Sequence, residues 1–326
     1  MSKQQPLELY IRPTLDLDTV FNEKEFWGEP TIGFNGSLYF VRVVDEEAYK
    51  EVVLNDSQVP FDYQIAILTD HHLEKCIVKN QLKAFSYVQP LLDQHLIMAE
   101  GRTTYYGEGV FDRNATVFKR VRNEYQPIRE FLLGDGISHL YATEKGSIWT
   151  GYFDEGIFGN CGWGAPWVKD PKPPIGEPGV IKWNSEGDQL FLNNRDQVEI
   201  ADCYSMNVVS DDEIWFYYYD AFKVVHLKDG VYKEYDPFFE FASDLVVNET
   251  HLMLREDETF CLFKIEEEGL KQIAMVHLIN EKEQQMGAAN NSFDVRGDRM
   301  VFLSQQYLYD VRLHQIVEMV KEKREG

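Results

Sequence analysis

Apolar residues in this chain gather into short runs separated by clusters of Asn, Asp, Gly and charged residues. Six of the runs read as copies of a single strand: Ser37-Leu38-Tyr39-Phe40-Val41, His95-Leu96-Ile97-Met98-Ala99, Ser147-Ile148-Trp149-Thr150-Gly151, Glu213-Ile214-Trp215-Phe216-Tyr217, His251-Leu252-Met253-Leu254-Arg255 and Arg299-Met300-Val301-Phe302-Leu303. They are almost continuously apolar rather than alternating, as expected of strands covered on both faces. Recurrence at intervals of roughly 40 to 65 residues points to a stack or ring of similar units, not to one folded-over sheet.

Each copy extends into four strands. An apolar run precedes it and ends in a short polar turn, as in Phe34-Asn35-Gly36, Glu144-Lys145-Gly146, Ser210-Asp211-Asp212 and Arg296-Gly297-Asp298, which reads as a hairpin. A third strand follows with two apolar residues, one polar and one apolar: Val180-Ile181-Lys182-Trp183, Val224-Val225-His226-Leu227, Leu262-Phe263-Lys264-Ile265 and Leu308-Tyr309-Asp310-Val311. A turn such as Lys228-Asp229-Gly230 leads into the fourth. Four-stranded sheets repeated radially make a β-propeller, in which closure of the ring protects the edges. The reading is therefore all-β, a six-bladed β-propeller forming one domain over 1–326, with blades near 28–82, 83–135, 136–200, 201–241, 242–288 and 289–320. The last repeat has only a weak, charged fourth strand at 315–321. The N-terminal run Leu7-Glu8-Leu9-Tyr10-Ile11 is expected to pair with that last blade and close the ring. Two β-sandwich domains would show the same rhythm and form the competing reading.

The third-strand pattern resembles the β-propeller superfamily, with blades similar to the quinoprotein and WD40 type, over about 31–320; the Trp-Asp and Gly-His signatures of WD40 blades are missing. The segment Tyr152-Phe153-Asp154-Glu155-Gly156-Ile157-Phe158-Gly159-Asn160 resembles a motif of uncharacterised bacterial propeller proteins. That resemblance implies a bacterial origin and carries no known activity.

Charge narrows the partners. The formal net charge of −23 repels a phosphate backbone, so nucleic acid is not expected as a partner. A cationic ligand or a divalent cation such as calcium is the sharper reading of the acidity, although no cofactor is predicted. No secretory h-region opens the chain and no window approaches ~18 uninterrupted apolar residues, so neither export nor a membrane is expected. The four cysteines, Cys76, Cys161, Cys203 and Cys261, form no CxxC pair and read as reduced thiols in a cytoplasm.

Function concentrates on long loops over a rigid scaffold, and two second-to-third-strand connections are long, at 101–114 and 154–178. The first carries Arg102, Glu108 and Asp112. The second carries Asp154, Glu155, Asn160, Trp163 and Trp167, with glycines and prolines throughout. The run Gly107-Glu108-Gly109-Val110-Phe111 echoes Glu155-Gly156-Ile157-Phe158. Adjacent blades would therefore join the loops into one cluster, either a lip for a polar ligand or a satisfied ion-pair network. Trp163 and Trp167 read as stacking platforms or as cover for the blade.

Equivalent positions eight residues before each second strand hold Glu29, Tyr87, His139, Ser205, Ser243 and Asn291, a polar ring near a channel entrance. His139 is its one imidazole and the best candidate for proton transfer, with Asp154 and Glu155 as candidate acids. Asp70-His71-His72 with Glu74 reads as a turn, because adjacent side chains on an extended chain point to opposite faces. No GxxxxGKS/T, GxSxG or HExxH motif occurs. Two functions compete. One is a cytoplasmic binding module that takes a small polar ligand or a protein partner. The other is a metal-assisted hydrolase or lactonase-like enzyme using His139 and channel-facing carboxylates.

Overall fold

The computed structural model describes residues 5–21, 28–55, 57–70, 72–286 and 292–325. The chain divides into two compact units, one formed by Met1–Ile32 with Tyr204–Gly326 and the other by Gly33–Cys203. The fold is mostly β-sheet, and its recurring piece is an antiparallel meander of the propeller-blade kind.

In the Gly33–Cys203 unit, two meanders merge. Leu38–Val43, Phe61–Thr69 and His72–Gln81 belong to the first; Tyr87–Leu91, His95–Ala99, Ala115–Val121 and Glu124–Phe131 make the second. Their outer strands pair in parallel, Ile77 with Glu124 and Val78 with Tyr125, so the expected separate blades share one sheet. The shared core explains the fusion: Phe61, Tyr63, Ile65 and Val78 of the first meander pack with Val88, Leu96, Met98 and Phe118 of the second. A chain of edge-on and tilted rings, Phe61–Tyr63–Phe85–Phe118, runs through it at centroid spacings of 5.1, 5.8 and 6.0 Å. A helix at Glu46–Asn55, started by Asp45 accepting the Ala48 N–H at 3.0 Å, was not anticipated. A third meander follows, with strands Ile137–Ala142, Ile148–Tyr152, Val180–Trp183 and Gln189–Leu192.

Leading into the other unit, the strand Asp202–Val208, whose first two residues close the Gly33–Cys203 unit, forms a four-stranded meander with Glu213–Tyr219, Lys223–Lys228 and Val231–Tyr235. Asp244–Val247, His251–Glu256, Thr259–Glu266 and Gly269–Ile279 form the next, and Ser292–Arg296, Arg299–Ser304 and Tyr307–Arg312 the last. The second strands are the apolar runs that mark the repeat, buried on both faces as their composition demands.

The ends of the chain correct the expected closure. Leu7–Tyr10 does not pair with the last blade. It lies parallel to Gly269–Ile279, Leu7 against Val276 and Tyr10 against Ile279, as a fifth strand of the preceding sheet. Leu9 and Ile11 alternate into a core with Val276, Leu278, Val311 and Ile316, and this burial selects the pairing. After Pro13 the chain turns, and Leu15–Asp16 becomes the fourth strand of the last sheet, Leu15 opposite Leu308. The segment 315–321, expected as a strand, lies in a helix, Leu313–Glu325. Leu313, Ile316, Val317 and Val320 fall on one helical face and join the same core.

Asn207, fully buried in a first strand, ties this unit together. Its amide donates to the carbonyls of Leu245 at 2.8 Å and Gly297 at 2.9 Å, and its Oδ1 accepts the Gly297 N–H at 2.7 Å. Both polar atoms of its side chain have backbone partners, in the strand Asp244–Val247 and in the turn after Ser292–Arg296.

Candidate functional site

The two long loops meet within the Gly33–Cys203 unit. Tyr105 N–H donates to the Cys161 carbonyl at 2.9 Å, Glu108 N–H to Lys169 at 3.0 Å, and the Tyr105 hydroxyl to Asp170 at 2.5 Å. Two glycines permit the approach. Gly162, with φ +88°, lies where a Cβ would come within 2.0 Å of the Tyr105 carbonyl oxygen. Gly156, in the short helix Asp154–Phe158, sits against Gly136 so closely that a Cβ on Gly136 would lie 2.4 Å from its Cα.

Arg102 is the clamp. Its Nε donates to Asp135 Oδ1 at 2.9 Å and its Nη2 to Oδ2 at 3.1 Å, a two-point fork onto an almost inaccessible carboxylate. Nη1 reaches Glu155 Oε2 at 2.6 Å, and Nη2 also donates to Cys161 Sγ at 3.2 Å. Burial alone would lower the guanidinium pKa, but the bonds and charge of Asp135 more than reverse this and raise it. Glu155 is held below the usual carboxylate range, first by the Asn160 side chain and then by Arg102. Asp135, which the sequence reading missed, also accepts the Thr103 N–H at 2.8 Å and so fixes the start of the first loop.

The remaining candidates separate. Glu108 forms an ion pair with Lys169. Asp112 accepts the Tyr106 hydroxyl at 2.9 Å. Trp163 is 4% exposed, its Nε1 donates to the Thr103 carbonyl at 3.2 Å, and it packs 4.9 Å from the Tyr105 ring. Of the two readings, stacking platform or cover, that burial favours cover: Trp163 is packed at the core of the double loop. Trp167 stands clear at 84% exposed.

His139 lies on Ile137–Ala142, partly buried, with Nε2 3.1 Å from the Cys203 carbonyl. It packs over Gly151, where a Cβ would come 3.3 Å from its Cδ2 and 2.9 Å from Cys203 Sγ. One residue ahead of Cys203, burial pushes the Asp202 carboxyl up to about 6, the charge of Asp154 adds to the rise, and the Asp154 backbone N–H moderates it. Asp202 was not anticipated; its signal is an acid opening a first strand, directly ahead of a cysteine. The expected polar ring is not uniform. Tyr87 donates its hydroxyl to Ile137 at 2.7 Å, Ser205 is buried, Glu29 and Ser243 are exposed, and Asn291 lies outside the described residues. In the turn near residue 70, Glu74 pairs with Arg120 at 2.8 Å, and His71 lies outside the described residues. Among the described residues no group of three or more His, Cys, Asp or Glu side chains is arranged to hold a metal ion.

Successive meanders and a braced double loop define the class: a propeller-like, mostly β-sheet protein whose most elaborated surface is a pair of interlocked connections. Comparison with protein-family models and with curated protein sequences gave no match. Among solved structures, the chain is similar to a functionally unknown protein from Desulfotomaculum acetoxidans (8% identity, 90% of this chain and 87% of that one, TM-score 0.48). It is similar to Hsv2 of Kluyvelomyces marxianus (8%, 88% and 77%, TM-score 0.48) and to YCF48 bound to D1 peptide (10%, 88% and 79%, TM-score 0.48). Identities and scores of this size leave the functional reading to the site itself.

Proposed function

We propose that this chain is a cytoplasmic binding module, a single six-bladed propeller that engages a protein partner through the joined loops 101–114 and 154–178. The carrying observation is exposed apolar surface on a braced support: Trp167 at 84%, Phe158 at 66%, Tyr106 at 61% and Val110 at 59% exposed all project from the two loops. Apolar side chains held out on a hydrogen-bonded scaffold bind without a large ordering cost. A small polar ligand is less well served, because Arg102, Glu108, Asp112, Glu155 and Asn160 are committed to partners within the protein. The four free cysteines favour a reducing compartment, and the net charge disfavours nucleic acid. No described helix is long and apolar enough to cross a membrane, and a membrane has no part in this reading.

The test is affinity capture with the wild-type chain and with the double variant Phe158→Ala/Trp167→Ala. A partner retained by the first and lost by the second, with thermal midpoints equal, supports the assignment. A partner that binds both equally removes it.

One observation favours the enzyme alternative: the Asp202 carboxyl, at about 6, lies within electrostatic range of Asp154 and would exchange a proton near neutrality. A calcium-supplemented screen of ester and lactone hydrolysis tests it. Turnover abolished by Asp202→Asn would move the function to that site, and absence of turnover leaves the binding module standing.

A further inference from the structure

The unit containing Tyr204–Gly326 carries an aromatic surface that the double loop does not use. Tyr204 and Tyr219 stack at 5.8 Å with 21° between their planes, Phe222 meets Tyr219 edge-on at 5.4 Å, and Phe241 meets Phe222 edge-on at 5.2 Å. Tyr219 and Phe241 remain exposed. Phe222 and Phe241 both hold left-handed backbone, at φ +53° and +60°, where a bulky residue is strained. Strain of this kind persists where surrounding structure fixes it and gathers at ligand-contacting surfaces. The fixing is visible: Tyr217, buried beneath, donates its hydroxyl to the Phe239 carbonyl at 2.7 Å and anchors the segment that presents Phe241.

Carboxylates lie next to these rings along the chain, and the nearby cations already have carboxylate partners of their own. Asp220 follows Tyr219, Glu240 precedes Phe241, and Glu256 with Asp257 lies within electrostatic range of Glu240. Lys223, next to Phe222, is paired with Glu234 at 2.9 Å, and Arg255, next to Glu256, is forked onto Asp244. Arg255 also donates through Nη1 to the Asp257 backbone carbonyl at 2.9 Å, but among the described residues no Lys or Arg forms an ion pair with the carboxylate of Asp220, Glu240, Glu256 or Asp257. Burial and then the like charges of Asp257 and Glu240 raise the Glu256 pKa, which is the response of an acid that lacks a counter-ion.

Ring faces attract cations, guanidinium above all because it is planar and weakly hydrated. We propose that this surface docks an arginine-bearing segment of a partner protein, its guanidinium groups lying on Tyr219 and Phe241 and facing Glu240 and Glu256. Charge complementarity selects the occupant: an anionic, aromatic patch on a chain of net charge −23 repels acidic segments and gives a purely apolar one nothing to offset the carboxylates. This site is independent of the double loop, and its test leaves that loop unaltered.

The probe is a fluorescein-labelled octa-arginine peptide, titrated by anisotropy against the full chain at low and at physiological salt. Tyr219→Ala/Phe241→Ala leaves the net charge unchanged and is expected to weaken binding roughly 10-fold. Octa-lysine is expected to bind more weakly than octa-arginine. Removing three charges at the opposite end of the Thr259–Glu266 strand, in Glu266→Gln/Glu267→Gln/Glu268→Gln, is expected to change affinity by less than about 2-fold. Should the double alanine variant lose its thermal midpoint, Tyr219→Leu/Phe241→Leu keeps the bulk and tests the same rings. Equal binding by the aromatic variant, equal weakening by the remote triple variant, or equal affinity for the lysine peptide would each overturn the proposal. Displacement of the peptide by an equal concentration of spermine would overturn it in favour of a small polyamine.

Discussion

Single polar side chains, buried and fully bonded, connect parts of this chain that lie far apart in sequence. Asn207 is the clearest case, because its amide takes three backbone groups from Leu245 and Gly297. Asn207→Ala leaves those groups without partners in the interior. A loss of about 2–3 kcal/mol in unfolding free energy is expected, read from the urea midpoint at constant slope. Asp294 acts similarly, its Oδ2 accepting the Ile32 N–H at 2.5 Å, and burial pushes its carboxyl up to about 7. The folded state therefore holds a proton that the unfolded chain releases near pH ~4, so this group's contribution declines as pH climbs from there to about 7. Asp294→Asn carries no such proton. Its stability relative to wild type should rise between pH 5 and pH 8 in paired urea titrations, and a constant difference would sink the idea. Neither role was legible in the sequence: the groups these side chains bond are set by packing, and an isolated Asn or Asp carries no period that would announce them.

At the level of strands and helices, the repeat was legible because both faces of each second strand are buried, which writes a continuous apolar run into the sequence. Third strands such as Val180–Trp183 and Lys223–Lys228 were legible from their recurring order of two apolar residues, one polar and one apolar. The ends were not. Leu7–Tyr10 alternates as any edge strand does, and its choice between the last two sheets depends on where Leu9 and Ile11 find a cavity. Likewise 315–321 is a short run in which Glu318 and Lys321 interrupt apolar residues, which reads as a weak, charged strand until the helical spacing of Ile316, Val317 and Val320 is set against the core they enter. Leu9, 1% exposed, carries the attachment. Leu9→Ala should cost ~3 kcal/mol and speed proteolysis within 5–16, whereas Glu8→Ala at the exposed position beside it should change neither. At the candidate site, Arg102, the acids and the tryptophans were legible as residues of long loops; the commitments of Arg102 to Asp135, Glu108 to Lys169 and Trp163 to Thr103 were not, since those partners lie tens of residues away.

For the molecule as a whole, charge sets the conditions under which it is stable and whom it meets. A net charge of −23 repels itself in the folded state, and added salt screens that repulsion. The thermal midpoint should rise by roughly 2–5 °C between 10 mM and 0.5 M sodium chloride, while binding of any basic peptide weakens over the same range. A midpoint that falls with salt would show that the attractive pairs, Arg102–Asp135 and Arg299–Asp310 among them, outweigh the general repulsion.

The parallel seat of Leu7–Tyr10 against Val276–Ile279 also has a temporal side. On a ribosome, residues 7–16 emerge long before the strands that receive them, by roughly 15 to 50 seconds at ordinary elongation rates. Throughout that wait Leu7, Leu9 and Ile11 have no receiving strand to cover them, so this attachment forms only after Gly269–Ile279 has been made.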